Sequence, residues 1–297
     1  MLREIESKTI LNKTKRRDPW FLDDYTLNPY SACSFNCLFC YIRGSKYGEH
    51  MEKSLAIKIN AVELLEKALR LKAKKQQYGI IVLSSATDPY LKIEEETKLT
   101  RRLLEVILQF RFPVHIITRS DLVVRDIDLL MEINNSAILP EDLEGKLASK
   151  AIVSFSFSTM QDHVAKIFEP NATPPSKRLV AMQKVKSSGL KTGACLMPLL
   201  PYISDTAEQL DLAYSTFSKL SADYLLPATI TLWGENKADS KTLVLKVIKK
   251  HYPHLLEKYS RYFESSTQMP FYYKRAFNKK TSELNAQYGL KNSLLDI

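Results

Sequence analysis

The chain has 297 residues, 45% of them hydrophobic and 26% charged, with 43 Lys and Arg against 33 Asp and Glu and a formal charge of +10. That length buries a full core as one large domain or two small ones, and the basic balance favours anionic partners such as nucleic acid without requiring them. There is no run of eighteen or more apolar residues, and the first fifteen residues mix acids with bases, so neither a membrane span nor a secretion signal is expected.

Taken in chain order, the first twenty residues read as a loosely packed arm. Asn28–Tyr41 then gathers Cys33, Cys37 and Cys40 within eight residues of a chain that has four cysteines. Asn60 to Lys74 sets Val62, Leu65, Leu69 and Ala73 on one side of a helix. Gly79 to Ser85 is a short apolar strand, and Glu94 to Phe110 carries Leu99, Leu103, Val106, Ile107 and Phe110 at helical spacing. Pro113 to Thr118 is a second strand, followed by a helix over Asp126 to Ile133. Ala151 to Thr159 alternates, with Ser154, Ser156 and Ser158 on one face and Val153, Phe155 and Phe157 on the other. Ser176 to Ser188 is helical and stops at Gly189, Gly193 to Leu200 is a fourth strand, and Tyr224 to Leu232 a fifth. Strands alternating with helices predict an α/β fold built from parallel βα units. Beyond residue 235 the strand signals stop and the chain becomes rich in Lys and Tyr, with a helix from Lys241 to Tyr262 broken near Pro253. The expected organisation is an arm over 1–20, a main domain over 21–235 and a C-terminal helical extension over 236–297.

Four cysteines at such uneven spacing do not form a disulfide framework, and clustered free thiols fit the reducing cytoplasm. Three thiolates at C-x3-C-x2-C spacing suit a cubane iron–sulfur cluster with one iron left open, since soft sulfur binds iron well and a short loop wraps one corner. The alternative is a zinc knuckle whose fourth ligand is remote, with His50 and Cys195 as the available donors.

C-x3-C-x2-C followed by Tyr41, with Phe39 just before the last cysteine, resembles the cluster motif of radical S-adenosylmethionine (AdoMet) enzymes. Asn28-Pro29-Tyr30, Thr87-Asp88-Pro89-Tyr90, Arg125 to Leu130, Phe168-Glu169-Pro170 and the Pro-rich turn before Arg178-Leu179 resemble the spore photoproduct lyase-like subfamily. The resemblance runs from about residue 20 to residue 235. It implies a partial (β/α)6 TIM-type barrel with a [4Fe–4S] cluster at its mouth, bound by Cys33, Cys37 and Cys40. It also implies AdoMet chelating the open iron, and a one-electron donor such as flavodoxin or ferredoxin.

The same resemblance sets Ser84, Ser85 and Asp88 beside the methionine and ribose parts of AdoMet. Arg119 falls where the family holds the AdoMet carboxylate, though a surface arginine would look the same. Ser156 and Ser158 face one way on an otherwise apolar strand, which is costly unless something polar fills the barrel, and Ser158 matches the ribose-binding position. Phe39, Leu196 and Met197 would flank adenine, or simply pack the core. Spore photoproduct lyase carries a hydrogen-donating cysteine where this chain has Ser85, whose O–H bond is too strong for that task. Cys195, Tyr90 and Tyr41 are the remaining candidate hydrogen donors, Cys195 reading first as a small buried hydrophobe. Phe35 stands where the subfamily often has His.

Arg125, Asp126 and Asp128 read as substrate contacts or a helix start, Glu169 as a turn or a catalytic acid, and the histidines as structural or exposed. Phe271, Tyr272 and Tyr273 beside Lys274–Lys280 could stack on bases. The function expected is radical AdoMet chemistry on an unidentified substrate, with nucleic acid as the candidate class. Its rivals are the same chemistry on a protein or small molecule, and a zinc-stabilised nucleic-acid binder.

Overall fold

The computed structural model describes residues 3–45 and 55–296. Its strands are β1 (Arg3–Ile5), β2 (Leu11–Lys13), β3 (Tyr25–Leu27), β4 (Tyr30–Ser31), β5 (Ala56–Lys58), β6 (Ile81–Leu83), β7 (Val114–Thr118), β8 (Ala151–Phe157), β9 (Lys191–Leu199) and β10 (Leu225–Thr229). Six of them, β3, β6, β7, β8, β9 and β10, lie side by side in that order, each parallel to the next. Between them come α1 (Ala61–Lys74), α2 (Glu94–Thr97), α3 (Leu99–Gln109), α4 (Ile127–Ser136), α5 (Asp162–Phe168), α6 (Pro175–Ser187) and α7 (Ala207–Lys219). This is the partial (β/α)6 barrel that the sequence led us to expect. It is followed by the C-terminal helices α8 (Ser240–His251), α9 (Leu256–Tyr262) and α10 (Phe271–Tyr288), with a break at Pro253 between the first two.

Four details differ from the sequence expectation. The first barrel strand, β3, went unread because three residues before an Asn-Pro turn give no measurable alternation. The helix expected over Glu94 to Phe110 is two helices, because Lys98 adopts a left-handed conformation at φ 48°. The first twenty residues are not a loose arm throughout: β1 pairs with β5, and β2 closes the open edge of β3. Arg17 also bridges Asp24 and Asp142. Finally, α10 carries few apolar residues and so gave no clear periodicity; it ends at Gly289, whose φ of 65° is the left-handed turn that stops the helix. No helix among the described residues is long and apolar enough to cross a membrane.

The alternation along β8 is explained by the two sides of the barrel wall. Val153, Phe155 and Phe157 join the core beneath the helices. Ile152 packs with Ile80, Val82, Cys195, Tyr224 and Leu226 in a second cluster that fills the barrel interior. Ser154 points to the same interior. His115 Nδ1 lies 2.9 Å from the Phe21 carbonyl and so carries the proton, and its Nε2 accepts from the Ser154 hydroxyl at 2.7 Å. Ser154 is in turn 2.7 Å from the Tyr224 hydroxyl. A buried polar chain of this kind is tolerated because each member has a partner.

Burial holds the His115 imidazole down at about 4, so it is neutral in the folded barrel. On acidification from the ordinary value of 6.5 toward 4, the unfolded chain takes up a proton that the folded chain refuses, and stability falls across that window. The loss reaches about 3 kcal/mol at full titration. Urea unfolding at pH 7 and at pH 4.5 should show this slope, and His115→Gln should flatten it.

Candidate functional site at the barrel mouth

The three cysteines lie on the loop after β4, and a single turn on the far side of the mouth anchors that loop. The Leu38 amide donates to the Phe168 carbonyl at 2.9 Å, the Asn171 amide donates to the Phe35 carbonyl at 3.2 Å, and the Asn171 side chain reaches the Ser34 carbonyl at 2.9 Å. Arg43, just past the last cysteine, donates to the Cys37 carbonyl at 3.1 Å and to the Ala238 carbonyl at 3.2 Å. The loop is therefore fastened at both ends, to the β8–α6 connection and to the start of the C-terminal extension.

All four cysteines are free thiols. Burial pushes the Cys33 thiol up to about 12, that of Cys37 well above its ordinary value, and that of Cys40 up as well. Several groups pull the other way and favour thiolate. Backbone amides of Asp88 and Phe35 donate to Cys33, those of Ile42 and Arg43 to Cys40, and the Arg119 charge reaches Cys37 and Cys40. Amides aimed at sulfur and a nearby fixed cation are what a thiolate-held cluster uses, and the metal supplies the remaining charge compensation. These residues fit an iron–sulfur cluster with Cys33, Cys37 and Cys40 as its ligands.

Arg119, at the end of β7, is central to the mouth. Its Nη1 donates to Glu169 Oε1 at 2.7 Å and its Nη2 to the Met197 carbonyl at 2.7 Å, while its guanidinium lies 5.2 Å from the Phe39 ring centre. Two of its five N–H groups are thereby committed, leaving the others for a carboxylate ligand. Glu169 belongs to the turn that anchors the cysteine loop. Its carboxylate is fully buried and also receives Arg178 Nη2 at 2.7 Å and the Ser158 hydroxyl. Burial pushes the Glu169 carboxyl up, but Arg119, Arg178 and Ser158 together outweigh that and hold it below its ordinary value, as the carboxylate. Arg178 is itself buried against Phe157, with its ring centre at 5.1 Å, and donates to the Ser156 carbonyl.

Opposite, the loop after β6 is held by Asn28. The Asn28 side chain donates to the Ser85 hydroxyl at 2.8 Å and accepts from the amides of Ala86 and Thr87 at 2.9 and 3.2 Å. Ser84 is strained at φ 99°, a region that residues with a side chain rarely occupy. The Tyr41 hydroxyl donates to the Ser85 carbonyl and joins this loop to the cysteine loop. Among the described residues the Thr87 hydroxyl, in the same loop, is buried without a hydrogen-bond partner, a donor that a bound ligand would satisfy.

The other sequence candidates are distributed as follows. Asp88 is spent internally: it accepts from the Tyr90 amide at 2.9 Å, the Thr118 hydroxyl at 2.7 Å and the Arg119 amide at 2.7 Å, and so fixes the end of β7. Ser158 is sealed against Glu169, whereas the Ser156 hydroxyl makes no hydrogen bond within the described residues. Ser156 is thus the member of the serine face suited to a ligand. Met197 lends its carbonyl to Arg119, and Phe39 its ring. Leu196 joins the core on the helix side, not the mouth. Cys195 is fully buried in the interior cluster, with burial pushing its thiol up to about 12. Tyr90 is also fully buried, 6.0 Å from Arg125 across its ring and beside Asp126. Of the three candidate hydrogen donors, only Tyr41 has its hydroxyl at the mouth.

Arg125 and Asp126 are bound into a charge network with the buried Glu94 and with Arg101, and Asp128 pairs with Arg101 at 2.6 Å. Sequence reasoning missed Asn28 and Arg178 as members of the site. Both sat in quoted motifs, but a single Asn or Arg carries no sign of which carbonyl or carboxylate it will meet. His50 lies outside the described residues. Among the described residues, no group of three or more His, Cys, Asp or Glu is arranged to hold a single metal ion.

Comparison with known proteins agrees with this geometry. The family model of the radical SAM superfamily matches residues 27–211. Protein ORF301 of Acidianus two-tailed virus is 27% identical over 258 residues, covering 80% of each chain. A protein of Methanocaldococcus jannaschii is 29% identical over 206 residues, covering 68% of this chain and 69% of its own. Among solved structures, spore photoproduct lyase complexed with dinucleoside spore photoproduct superposes with a TM-score of 0.63 at 15% identity, covering 97% of this chain and 79% of that one. The chain belongs to the radical SAM superfamily, an enzyme family that uses a [4Fe–4S] cluster and AdoMet. That membership overturns the zinc-stabilised binder as a reading of the three cysteines.

Replacing Glu169 by Ala would strand the buried Arg178 and the partly buried Arg119, so denaturant unfolding should show a loss of about 3–5 kcal/mol. Glu169→Gln keeps the shape and accepts hydrogen bonds, and should lose less.

Proposed function

We propose that this radical SAM protein uses AdoMet to abstract a hydrogen atom from a nucleic-acid substrate. The observation that carries the reading is the loop of three free thiols, Cys37 buried and Cys33 and Cys40 partly buried, set against Arg119. When bound, cluster and AdoMet would supply the hard chemistry, reductive cleavage of the AdoMet sulfonium and abstraction of hydrogen from substrate.

The protein's own residues bind, orient and exclude water. Cys33, Cys37 and Cys40 would hold the cluster. Arg119, steadied by Glu169 and the Met197 carbonyl, offers its remaining N–H groups to the AdoMet carboxylate. Ser156, Ser84, Ser85 and Thr87 line the polar side of the AdoMet site, and Phe39 its apolar side. Tyr41 is the candidate to return a hydrogen atom to the product, because its hydroxyl meets the Ser85 carbonyl at the mouth. The electron comes from a small redox protein such as flavodoxin or ferredoxin.

Two observations support nucleic acid as the substrate class: the formal charge of +10, and a fold shared with spore photoproduct lyase, whose solved complex holds a dinucleoside. Thymine-dimer repair by the cysteine route is not proposed, because Ser85 stands at the donor position and Cys195 is sealed away.

The test is anaerobic reconstitution followed by mass spectrometry. On reduction with AdoMet the wild type should form 5′-deoxyadenosine, and deuterium from labelled DNA or RNA should appear in it. Cys37→Ala should abolish the cleavage. Deuterium arriving only from labelled peptides or metabolites would overturn the substrate class.

A further inference from the structure

The charge of this chain is unevenly distributed. Residues 236–297 contain 12 Lys and Arg against 5 Asp and Glu, whereas residues 1–235 contain 31 against 28. Most of the excess positive charge therefore lies in the C-terminal extension, which the family match, ending at residue 211, does not cover. The same extension carries the most exposed large aromatic side chains of the described residues: Phe271 is 77% exposed and Tyr272 62%. Phe271 gains almost no burial by its place on α10, and Tyr272, held only through its hydroxyl to Tyr262, leaves its ring in solvent.

These rings adjoin an ordered aromatic group. Tyr202 and Tyr262 stack at 17° with their ring centres 6.4 Å apart, and Tyr273 meets both edge-on at 5.8 and 5.7 Å. The Lys258 ammonium lies 4.4 Å from the Tyr202 ring centre. Asp205 fastens the group by accepting from the Tyr202 amide at 2.6 Å and the Tyr273 hydroxyl at 2.6 Å. Tyr202 is held at φ 61°, a costly conformation for a bulky residue, and remains 38% exposed.

The position is also informative. Tyr202 follows the mouth end of β9, the strand whose Met197 carbonyl binds Arg119. The segment before α10 is joined to the chain just past β10 by the Thr231–Gln268 bridge. The start of the extension touches the cysteine loop through Arg43 and Ala238. The aromatic group thus sits on the rim of the mouth, with Lys258, Arg261, Lys274 and Arg275 on the helices that carry it.

We propose that this rim, formed by Tyr202, Phe271, Tyr272 and the basic residues of α9 and α10, binds single-stranded nucleic acid and feeds it to the mouth. Flat exposed rings stack on bases of any sequence, and the surrounding cations take the phosphates. A duplex hides its base faces and gains only the phosphate contacts. The proposal rests on the reading of the substrate as nucleic acid and adds its form and its docking place.

The test uses cluster-loaded protein and fluorescence anisotropy with a labelled oligothymidylate and a duplex of equal length. The wild type should bind the single strand more tightly than the duplex, with affinity falling steeply as salt rises. The double variant Phe271→Ala, Tyr272→Ala should weaken single-strand binding about tenfold or more. Lys258→Glu, Arg261→Glu should do likewise and flatten the salt dependence. Lys219→Glu, exposed on α7, should change little. Because Phe271 and Tyr272 are exposed, their loss should shift the unfolding curve little, since only the Tyr272–Tyr262 hydrogen bond is given up, and should leave substrate-free 5′-deoxyadenosine formation unchanged. Equal binding by wild type and the aromatic double variant, or no binding by the wild type, overturns the platform. Deuterium transfer from labelled dinucleotides, too short to need the rim, reports separately on the substrate class, so either idea can fail while the other stands.

Discussion

The mouth of this barrel depends on one buried carboxylate between two arginines. Glu169 has no exposed side-chain surface, and Arg178 has none either. Charges in such a place are costly unless paired and fully hydrogen-bonded. The pairing here is nearly complete: two guanidinium groups and one hydroxyl converge on the two Glu169 oxygens. The backbone around Glu169 simultaneously holds the cysteine loop, through the Phe168 carbonyl and the Asn171 amide and side chain. One short turn therefore fixes the position of the thiols and the aim of Arg119 together. If that turn moved, the ligands of the cluster and the arginine offered to AdoMet would move together.

The barrel wall beneath shows why such a polar mouth is affordable. The interior is closed lower down by apolar side chains and by the His115–Ser154–Tyr224 chain, which satisfies itself without water. Among the described residues Thr87 Oγ1, in the loop after β6, is buried without a partner at a strand end, where a ligand can reach it. Strand ends are where barrels of this type place their chemistry, because the connecting loops can vary without disturbing the wall. The strained Ser84, directly after β6, belongs to the same zone.

A second charged assembly, on the helix side, has a different role. Tyr30, Glu94, Arg125, Asp126 and Arg101 bond β4 to the starts of α2, α3 and α4. The partners of Arg125 and Asp126 are one another, Glu94 and Arg101. These residues therefore serve a structural need: they lock the helices around the mouth.

The alternation of strands and helices, the positions of five of the six barrel strands, and the spacing of Cys33, Cys37 and Cys40 could all be read from the chain. These are local signals: periodicity within a segment, and ligands separated by two or three residues. The three-residue strand β3 and the break at Lys98 could not be read, because one is too short to show a period and the other depends on a single backbone angle. The fates of Ser158, Asp88 and Arg119 were decided only in three dimensions. Ser158 looked like a ligand for AdoMet until Glu169 arrived beside it, and Asp88 looked free until it met the Thr118 hydroxyl and the Arg119 amide. A carboxylate or hydroxyl has the same one-letter signature whether its partner is protein or ligand. The amino-acid order alone determined which chemistry the chain can support, because thiol spacing is local. Which groups remain available for it was settled by contacts between residues tens of positions apart, such as the 50 separating Arg119 from Glu169.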